Sequence, residues 1–356
     1  MRYVLDKSAG SMYMQLFRML KEDIEKGIYR DGDKLPSKRV MALDSGASVV
    51  TVRHAYDLLA DEGYIETRER SGYFVVYKQG SRDREDTLPA KTPSSHYVDS
   101  AFPFSIYSKA VRKVLSEYGD MIIEKSPNFG TPEIRGAICD YLRKSRGIDV
   151  SPNRIIIGAG AEYIYSLIVR TFPGDTVFGM ESPCYEKIQR IYEESGVPTD
   201  HLRMGPDGIL SSELERTNAS VIHLTPYNSV PSHVTASGPK RREYITWLSG
   251  DPSRIIIEDD YDSEFSSVTK SESTLFSMDK TDSVIYVNTF TRTLFPGLRI
   301  GYMILPEKLL QQFAEKNGFL SCTVPMLSQF CIAELLMSGE FQRHINRVRR
   351  SKGKKQ

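Results

Sequence analysis

The sequence predicts two folded units in series: a small N-terminal α+β unit, then a larger α/β unit with a mostly parallel sheet. Three observations indicate this fold. The length of 356 residues exceeds that of one typical domain. Residues 78–98 are polar, charged and rich in Pro and Ser, as linkers are. Beyond them, β-branched runs at 155–158, 221–224, 255–258 and 284–287 alternate with amphipathic helical patterns. We therefore expect folded units at residues 1–77 and 99–356.

Composition excludes several classes of protein. The chain is 40% hydrophobic and 26% charged, with a formal net charge of +1. It lacks an apolar run near the roughly 18 residues of a membrane span, and its N-terminus lacks the apolar core of a signal peptide. The four cysteines are scattered without a Cys-x-x-Cys pair, so we expect neither disulfides nor a metal site. These features predict a cytoplasmic protein with no membrane contact.

The first two helices of the N-terminal unit follow from apolar spacing and capping residues. A helix over residues 11–26 is predicted, with Gly27 as its stop and an apolar face of Met14, Phe17, Leu20 and Ile24. A second, short helix opens at Pro36 and Ser37 and ends near Leu43. Residues 44–47 then form a turn.

A third helix is predicted from Ser48, a good N-cap residue, to about Glu62. Its buried stripe consists of Val52, Ala55, Tyr56 and Leu59. That stripe leaves five side chains available on the exposed N-terminal half: Ser48, Val50, Thr51, Arg53 and His54.

Residues 64–66 and 73–76 read as the strands of a hairpin with Arg68, Arg70, Ser71 and Gly72 at its tip. Helix, turn, helix and basic hairpin in this order describe a winged helix-turn-helix, whose recognition helix enters the major groove. Residues 1–77 carry 12 basic and 12 acidic side chains, so a DNA-binding surface requires the basic ones to share a face.

Three segments of this unit, LPSKR, TVRHAYDLLADEGYIE and RSGYFV, resemble the DNA-binding domain of the GntR family of regulators. The resemblance and the basic wing together imply DNA contacts by Lys38, Arg39, Ser48, Thr51, Arg53, Arg68 and Gly72. Arg39 and Arg53 would reach guanine edges, whereas Ser48 and Thr51 would hold phosphates. For Arg68 and Arg70 a purely solvated charge is an equal alternative, and the role of His54 stays open.

Three segments of the larger unit are suited to binding or catalysis. Residues 158–162, with the sequence GAGAE, place four small residues at a strand-to-helix turn, where backbone N–H groups can hold a phosphate. The sequence IIIEDDYDSEF places an acid pair at the carboxyl end of a strand. The sequence VNTFTRTLFPGLRIGY runs from a strand into a Gly- and Pro-rich turn with two arginines.

With FPGDTVFGMESPCY and TPYNSVPS, these segments resemble fold-type-I pyridoxal phosphate enzymes, and more narrowly the aminotransferase-like domain of MocR-type regulators, a GntR subgroup. The resemblance implies that Asp259 pairs with the pyridinium nitrogen and that Tyr261 lies near the phenolic oxygen. Asn228 would line the ring, although its segment departs from the family pattern, and Tyr185 would lie beside the ring. Gly160, Ala161 and Arg299 would bind the phosphate.

Arg292 occupies the position at which the family has the lysine that binds the cofactor covalently. A guanidinium has a pKa above about 12 and is a poor nucleophile, so an internal aldimine and ordinary transamination are excluded here. We therefore expect no catalytic residue. Two alternatives remain for the pocket: noncovalent binding of pyridoxal 5′-phosphate or its amine form, and an empty or repurposed pocket.

A second departure from the family concerns the C-terminal part. The family's small C-terminal domain is expected to be absent here. Residues 343–356 carry seven Lys and Arg and no acid, which predicts a frayed, solvated end; added nonspecific DNA affinity is the alternative.

The sequence thus predicts a homodimeric transcription regulator that binds a double-stranded DNA operator. Its degenerate aminotransferase-like domain would sense a small molecule related to vitamin B6 or to an amino acid. Two alternatives are a pyridoxal phosphate-dependent aminotransferase with an accessory DNA-binding domain and a truncated, non-functional paralogue. The operator, the effector and the direction of regulation stay open.

Overall fold

The computed structural model describes residues 3–6, 10–68, 71–77, 102–265 and 273–353, with side chains to residue 351. The chain divides into two compact units, Met1–Ser95 and His96–Gln356. The predicted linker at 78–98 lies outside the described residues. In the described part of the chain, no helix has both the length and the apolar character needed to cross a membrane.

The N-terminal unit contains three helices followed by a hairpin. The helices are α1 (Met12–Glu25), α2 (Lys38–Ser45) and α3 (Val49–Asp61); strands β1 (Ile65–Arg68) and β2 (Gly72–Val75) pair antiparallel. The predicted elements are confirmed, but α2 runs to Ser45 rather than Leu43. The Ser45 hydroxyl donates to Met41 O at 2.7 Å, and Gly46 ends the helix at a φ of 67°.

Capping and burial together fix the orientation of α3. The Ser48 hydroxyl accepts the Thr51 N–H at 3.1 Å, which confirms it as the N-cap. The predicted stripe is buried against the apolar face of α1; its members are Val52, Ala55, Tyr56 and Leu59. The opposite side of α3, in its first turns, therefore faces outward.

The larger unit is an eight-stranded sheet with helices around it. Its strands are β3 (Ile155–Gly158), β4 (Phe178–Ser182), β5 (Thr199–Gly205), β6 (Gly208–Ile209), β7 (Val221–Leu224), β8 (Ile255–Asp259), β9 (Val284–Thr289) and β10 (Gly301–Ile304). Its helices are α4 (Phe104–Tyr118), α5 (Pro132–Arg146), α6 (Ala161–Thr171), α7 (Glu186–Glu194), α8 (Ser211–Arg216), α9 (Gly238–Ser249), α10 (Leu275–Met278), α11 (Phe290–Thr293), α12 (Glu307–Asn317), α13 (Met326–Met337) and α14 (Glu340–Gly353).

The sheet has the order β3-β10-β9-β8-β7-β4-β5-β6 and is mostly parallel, as predicted. Strands β5, β4, β7, β8 and β9 run parallel to one another, while β10 is antiparallel to β3 and β9, and β6 is antiparallel to β5. Alternate residues of β3 point to opposite faces: Ile155 and Ile157 pack in the core with α5, and Ile156 packs with α6. Helices therefore cover both faces of the sheet.

The prediction of a frayed C-terminal end is wrong for residues 343–353, which belong to α14. Four side chains spaced at three to four residues are buried on this helix: Phe341, His344, Ile345 and Val348. In addition, Arg349 Nε donates to Glu264 O at 2.6 Å. Along the sequence, the basic residues of this segment are interspersed with the buried ones. Residues 354–356 lie outside the described part of the chain.

Candidate functional site

One edge of the sheet collects most of the predicted cofactor residues. Asp259 ends β8, Asn228 follows β7, and Tyr185 follows β4. Gly160 and Ala161 lie where the turn after β3 enters α6, and Arg292 lies on α11 after β9. Because these strands run in the same direction, their carboxyl ends meet at the edge where α/β sheets bind ligands. Arg299 reaches the same edge because it precedes the antiparallel strand β10.

Asp259 is buried, at 4% exposed, and one of its two carboxylate oxygens has partners within the protein. The Tyr165 hydroxyl donates to Oδ2, and His223 Nε2 lies 3.8 Å from the same oxygen. Burial, and next the charge of Asp259, raises the pKa of Tyr165 well above its usual value, so this hydroxyl stays a donor. Within the described residues, Oδ1 of Asp259 has no hydrogen-bond partner.

An unpaired buried acceptor is costly, unless a donor arrives from a ligand. The protonated pyridinium nitrogen of a B6 ring is a donor of that kind. Asp259 therefore fits the role that the sequence predicts for it.

Tyr261 and Asn228 are hydrogen-bonded to each other at this edge of the sheet. The Tyr261 hydroxyl donates to Asn228 O at 2.6 Å, and burial raises the pKa of Tyr261 to about 12. Asn228 has a φ of 49°, and its Nδ2 donates to Asp262 Oδ2 at 2.9 Å. His233 Nδ1 lies 2.9 Å from Asn228 Oδ1. The loop that departs from the family pattern is thus tied to Tyr261.

Arg292, in the position of the lysine, is paired with a carboxylate of its own chain. Its Nε donates to Asp262 Oδ1 at 3.2 Å. The Arg292 side chain is 52% exposed and that of Asp262 is 14% exposed. Asp262 therefore links Arg292 to Asn228, and the cation at this position is oriented by the Asp262 carboxylate.

Where the phosphate is expected to bind, the close approach of Arg299 explains why residue 160 is a glycine. This residue has a φ of 92°, and a Cβ built on it would lie 2.9 Å from Arg299 Nη2. Its own N–H donates to Gly158 O at 2.8 Å, so the N–H groups without an intrahelical acceptor begin at Ala161. A helix N-terminus beside a guanidinium is suited to a phosphate.

Acidic and basic side chains already pair around this phosphate position. Glu162 accepts from both Arg299 and Lys187, and the bond from Lys187 is the main reason that the pKa of Glu162 is lowered. Tyr185, the residue before α7, is 40% exposed. A bound phosphate would compete with Glu162 for Arg299.

Sequence reasoning missed three residues of this pocket: Tyr165, Asp262 and Glu162. Asp262 and Glu162 stand inside the motifs already singled out, one residue after Tyr261 and one after Ala161. Tyr165 stands four residues after Ala161, one helical turn further. This spacing is the signal that could have placed Tyr165 near the phosphate turn.

In the N-terminal unit, the predicted DNA-contacting residues of α2 and α3 lie close to solvent. Arg39, Ser48 and Arg53 are exposed, while Lys38 and Thr51 are half-buried. The hydroxyls of Ser48 and Thr51 lie 2.9 Å apart, so both are engaged within the helix cap. Arg39 and Arg53 therefore carry the accessible positive charge of this surface.

Basic side chains pack onto the aromatic rings of the wing. Lys38 Nζ lies 5.4 Å from the ring centre of Tyr73, and Arg68 Cζ lies 4.4 Å from that of Phe74. Arg68 Nε also donates to Glu66 at 2.7 Å.

Gly72, at the tip of the wing, has a φ of 118° that favours glycine. The His54 ring is exposed and contacts the edge of Tyr13 at 5.8 Å between centroids. Arg70 lies outside the described residues.

Comparisons with known proteins agree with both units. Residues 12–75 match the model of the family "Bacterial regulatory proteins, gntR family". The chain is 34% identical over 359 residues to the HTH-type transcriptional regulator YdeL of Bacillus subtilis, covering 97% of this chain and 77% of YdeL.

For two further relatives, the match spans 76% of the relative's own length. The probable rhizopine catabolism regulatory protein MocR of Rhizobium meliloti is 28% identical over 98% of this chain. The HTH-type pyridoxine biosynthesis transcriptional regulator PdxR of Corynebacterium glutamicum is 29% identical over 96% of it.

Among solved structures, the kynurenine aminotransferase of Pyrococcus horikoshii superposes with a TM-score of 0.64 at 23% identity. The match covers 70% of this chain but only 64% of that enzyme, so it identifies the fold and not the activity. With a GntR-type DNA-binding unit in front of an aminotransferase-like unit, and MocR and PdxR among the relatives that match along nearly all of its length, the chain belongs to the MocR-type subgroup of the GntR family of transcription regulators.

Proposed function

We propose that this regulator binds a double-stranded operator through its N-terminal unit, and that its aminotransferase-like unit receives a B6 phosphate noncovalently as the effector. The single observation that carries the effector proposal is the buried Oδ1 of Asp259, which has no partner among the described residues and ends β8 at the same edge of the sheet as Arg292. Asp259 provides the acceptor that a pyridinium nitrogen would need. The lysine amine that would react with the cofactor is replaced by the guanidinium of Arg292.

The residues present fit such a ligand at both ends. Asp259 would hold the ring nitrogen, with Tyr165 keeping its carboxylate in place. Arg299 and the first turn of α6, from Gly160 and Ala161, would hold the phosphate. Asn228, Tyr261 and Tyr185 would contact the ring. In enzymes of this fold, bound pyridoxal phosphate supplies an electron sink.

Arg292 makes the difference between a receptor and an enzyme. A guanidinium does not provide the neutral primary amine that covalent attachment requires. The pair with Asp262 keeps the cation at the pocket wall, where it can attract an anionic or polar substituent of the ligand. PdxR, a relative that matches 96% of this chain, is by its name a regulator of pyridoxine biosynthesis, which supports a B6 ligand for this chain.

On the DNA side, the proposed contacts are Lys38, Arg39, Ser48, Thr51 and Arg53 on α2 and α3, with Arg68 and Gly72 on the wing. Arg39 and Arg53 would contact base edges or phosphates, since their side chains are exposed. The hydroxyls of Ser48 and Thr51 already contact each other. We therefore propose that these two residues position the first turn of α3 against the DNA. We further propose domain boundaries at 1–77, 78–98 and 99–356, a homodimer that binds paired half-sites, and a cytoplasmic location.

The test combines DNA binding with ligand binding on the full chain. Fluorescence anisotropy with a duplex from the chain's own promoter region should give sequence-preferring binding that weakens steeply with salt. Added pyridoxal 5′-phosphate should change that affinity severalfold, and borohydride should trap no pyridoxyl group on the protein. Absence of sequence-preferring DNA binding would rule out the operator proposal. A trapped pyridoxyl-lysine would show an enzyme-like pocket instead.

A further inference from the structure

An exposed apolar side chain stands at the start of the recognition helix. Val50 is 55% exposed and lies in the first turn of α3. Its neighbours on the outward side are polar or charged: Arg53 and His54 are three and four residues further and are also exposed. A single exposed valine is ordinary on a protein surface. At this position, however, it lies where base edges are read in a helix-turn-helix complex.

The position of Val50 is fixed by its surroundings. The Ser48 cap accepts the Thr51 N–H at 3.1 Å, and the hydroxyls of Ser48 and Thr51 lie 2.9 Å apart, so the first turn is held on both sides of Val50. Val52, two residues on, is fully buried and sets the rotation of the helix. A β-branched side chain has few rotamers, so the two methyl groups of Val50 are presented in a defined direction.

Charge selects which end of α3 can approach DNA. Arg53 lies near the start of the outward face, and Arg39 is exposed on the preceding helix α2. Asp57 and Asp61 are exposed one and two turns further along the same face as Arg53. Phosphates attract the basic start of the helix and repel its acidic end. The first turn, with Val50, is therefore the part of α3 that can enter the groove.

In the major groove of unmodified DNA, thymine is the base that presents a methyl group, and apolar side chains recognise it by contact. We propose that Val50 reads a thymine in each operator half-site through the 5-methyl group of that base. This inference rests on the operator binding proposed above. It assigns sequence preference to an apolar contact in addition to the arginines Arg39 and Arg53.

The expected effect is modest and measurable. Burial of one methyl group contributes about 0.8 kcal/mol, which corresponds to a loss of about fourfold in affinity when that group is removed. The operator is first selected from randomised duplexes with the full chain. Each thymine is then replaced singly by deoxyuridine, which removes only the 5-methyl group.

For the wild type, one thymine position per half-site should lose about fourfold on replacement by deoxyuridine. Val50→Ala should weaken binding to the thymine operator by a similar factor and should no longer respond to deoxyuridine at that position. Val49→Ala is the matched control, since Val49 is also exposed in the same turn, at 46%. It should keep the response to deoxyuridine at that position.

Two results would overturn the inference while the regulator proposal stands. One is wild-type binding that is unaffected by deoxyuridine at every position. The other is a Val50→Ala variant that keeps the full deoxyuridine effect. If selection yields no preferred sequence at all, the operator proposal fails as well, and this outcome is distinguished by equal affinity for selected and random duplexes. Thermal unfolding of Val50→Ala should match the wild type because the side chain is exposed.

Discussion

The guanidinium of Arg292 lies against the carboxylate of Asp262, with 3.2 Å between Nε and Oδ1. Asp262 in turn accepts from Asn228 Nδ2 at 2.9 Å, so the carboxylate has one partner on each oxygen. In a fold whose enzymes place a reactive amine at this position, the pair puts a fixed cation and a fixed anion there instead. The chemistry of a restored lysine would therefore depend on Asp262.

Replacement of Arg292 by Lys should restore covalent capture of pyridoxal 5′-phosphate. The lysine amine must be neutral to react, and the nearby Asp262 carboxylate favours its charged form. We therefore expect visible absorbance and borohydride trapping in Arg292→Lys only at alkaline pH, roughly above pH 8. The double variant Arg292→Lys with Asp262→Asn should react at a lower pH than the single variant. Titration of the absorbance against pH measures both.

The control for covalent capture is Arg292→Gln, which removes the guanidinium without supplying an amine. It should bind the ligand without any borohydride-stable product. If Arg292→Gln also yields a trapped pyridoxyl group, a lysine elsewhere is reactive and the assignment of position 292 is wrong.

Replacement of Asp259 by Asn should have opposite effects on stability and on ligand binding. The ligand-free protein buries a carboxylate oxygen with no partner among the described residues, and a neutral amide costs less to bury. We expect the larger unit to gain about 1 kcal/mol in the free energy of unfolding. Stabilisation by added pyridoxal 5′-phosphate should fall, since an amide is a weaker partner for a pyridinium. Thermal shift with and without ligand measures both effects.

The matched control for Asp259→Asn is Asp175→Asn, at an exposed position before β4, which should leave both quantities unchanged. A loss of stability in ligand-free Asp259→Asn would contradict the interpretation of Asp259 as an unsatisfied group.

Patterns along the chain predict the elements of the N-terminal unit and four of the eight strands of the larger unit, but not the contacts between elements. The β-branched runs at β3, β7, β8 and β9 and the Ser48 cap follow from local chemistry, and the structure confirms them. The pairs Asp262–Arg292 and Glu162–Arg299 join residues 30 and 137 positions apart. Such pairs depend on which strands become neighbours in the sheet, which residue spacing alone does not encode.

Helix α14 shows a different limit of prediction from the sequence, because its composition hides its apolar face. Its buried residues Phe341, Ile345 and Val348 have helical spacing, but the surrounding basic residues dominate the composition. An amphipathic helix is stabilised mainly by the surface it packs on. That surface is the core that includes Ile134, Ile138 and Ile332, which becomes visible only in the folded unit.

Ser48 offers a way to separate helix capping from phosphate contact. Ser48→Ala removes the acceptor for the Thr51 N–H and should destabilise the N-terminal unit by about 1 kcal/mol. Ser48→Asp should keep the cap and the stability, because Asp is an equally good N-cap. Its negative charge at the DNA surface should nevertheless weaken operator binding at least tenfold, with a smaller salt dependence. Unfolding of the N-terminal unit and anisotropy titrations measure these effects. Equal DNA affinity of Ser48→Asp and the wild type would show that this turn lies away from the DNA.

Glu181 should make the larger unit less stable as the pH rises. The side chain is 4% exposed at β4, and burial raises the pKa of its carboxyl to about 7. It accepts from Ser229 Oγ at 2.6 Å and Thr225 N at 3.2 Å, in the loop that carries Asn228. An unfolded Glu has a pKa of about 4.3. The folded state therefore binds the proton more tightly than the unfolded state does. The stability that depends on this proton is fully present below the unfolded pKa of about 4.3 and is lost as the pH rises through 7.

Glu181→Gln should flatten this loss between about pH 5 and pH 8, by at most about 3 kcal/mol. The amide can still accept from Thr225 N, and the Ser229 hydroxyl can turn to accept from the new NH₂ group. A residual slope is expected, because burial also raises the pKa of Glu258 to about 8 and that of Glu264 to about 7. Calorimetric unfolding across this pH range measures the slope, with Glu186→Gln, an exposed position on α7, as the control that should follow the wild type. Parallel curves for Glu181→Gln and the wild type would mean that Glu181 stays ionised in the folded protein, so that the loop around Asn228 is held by a permanent charge.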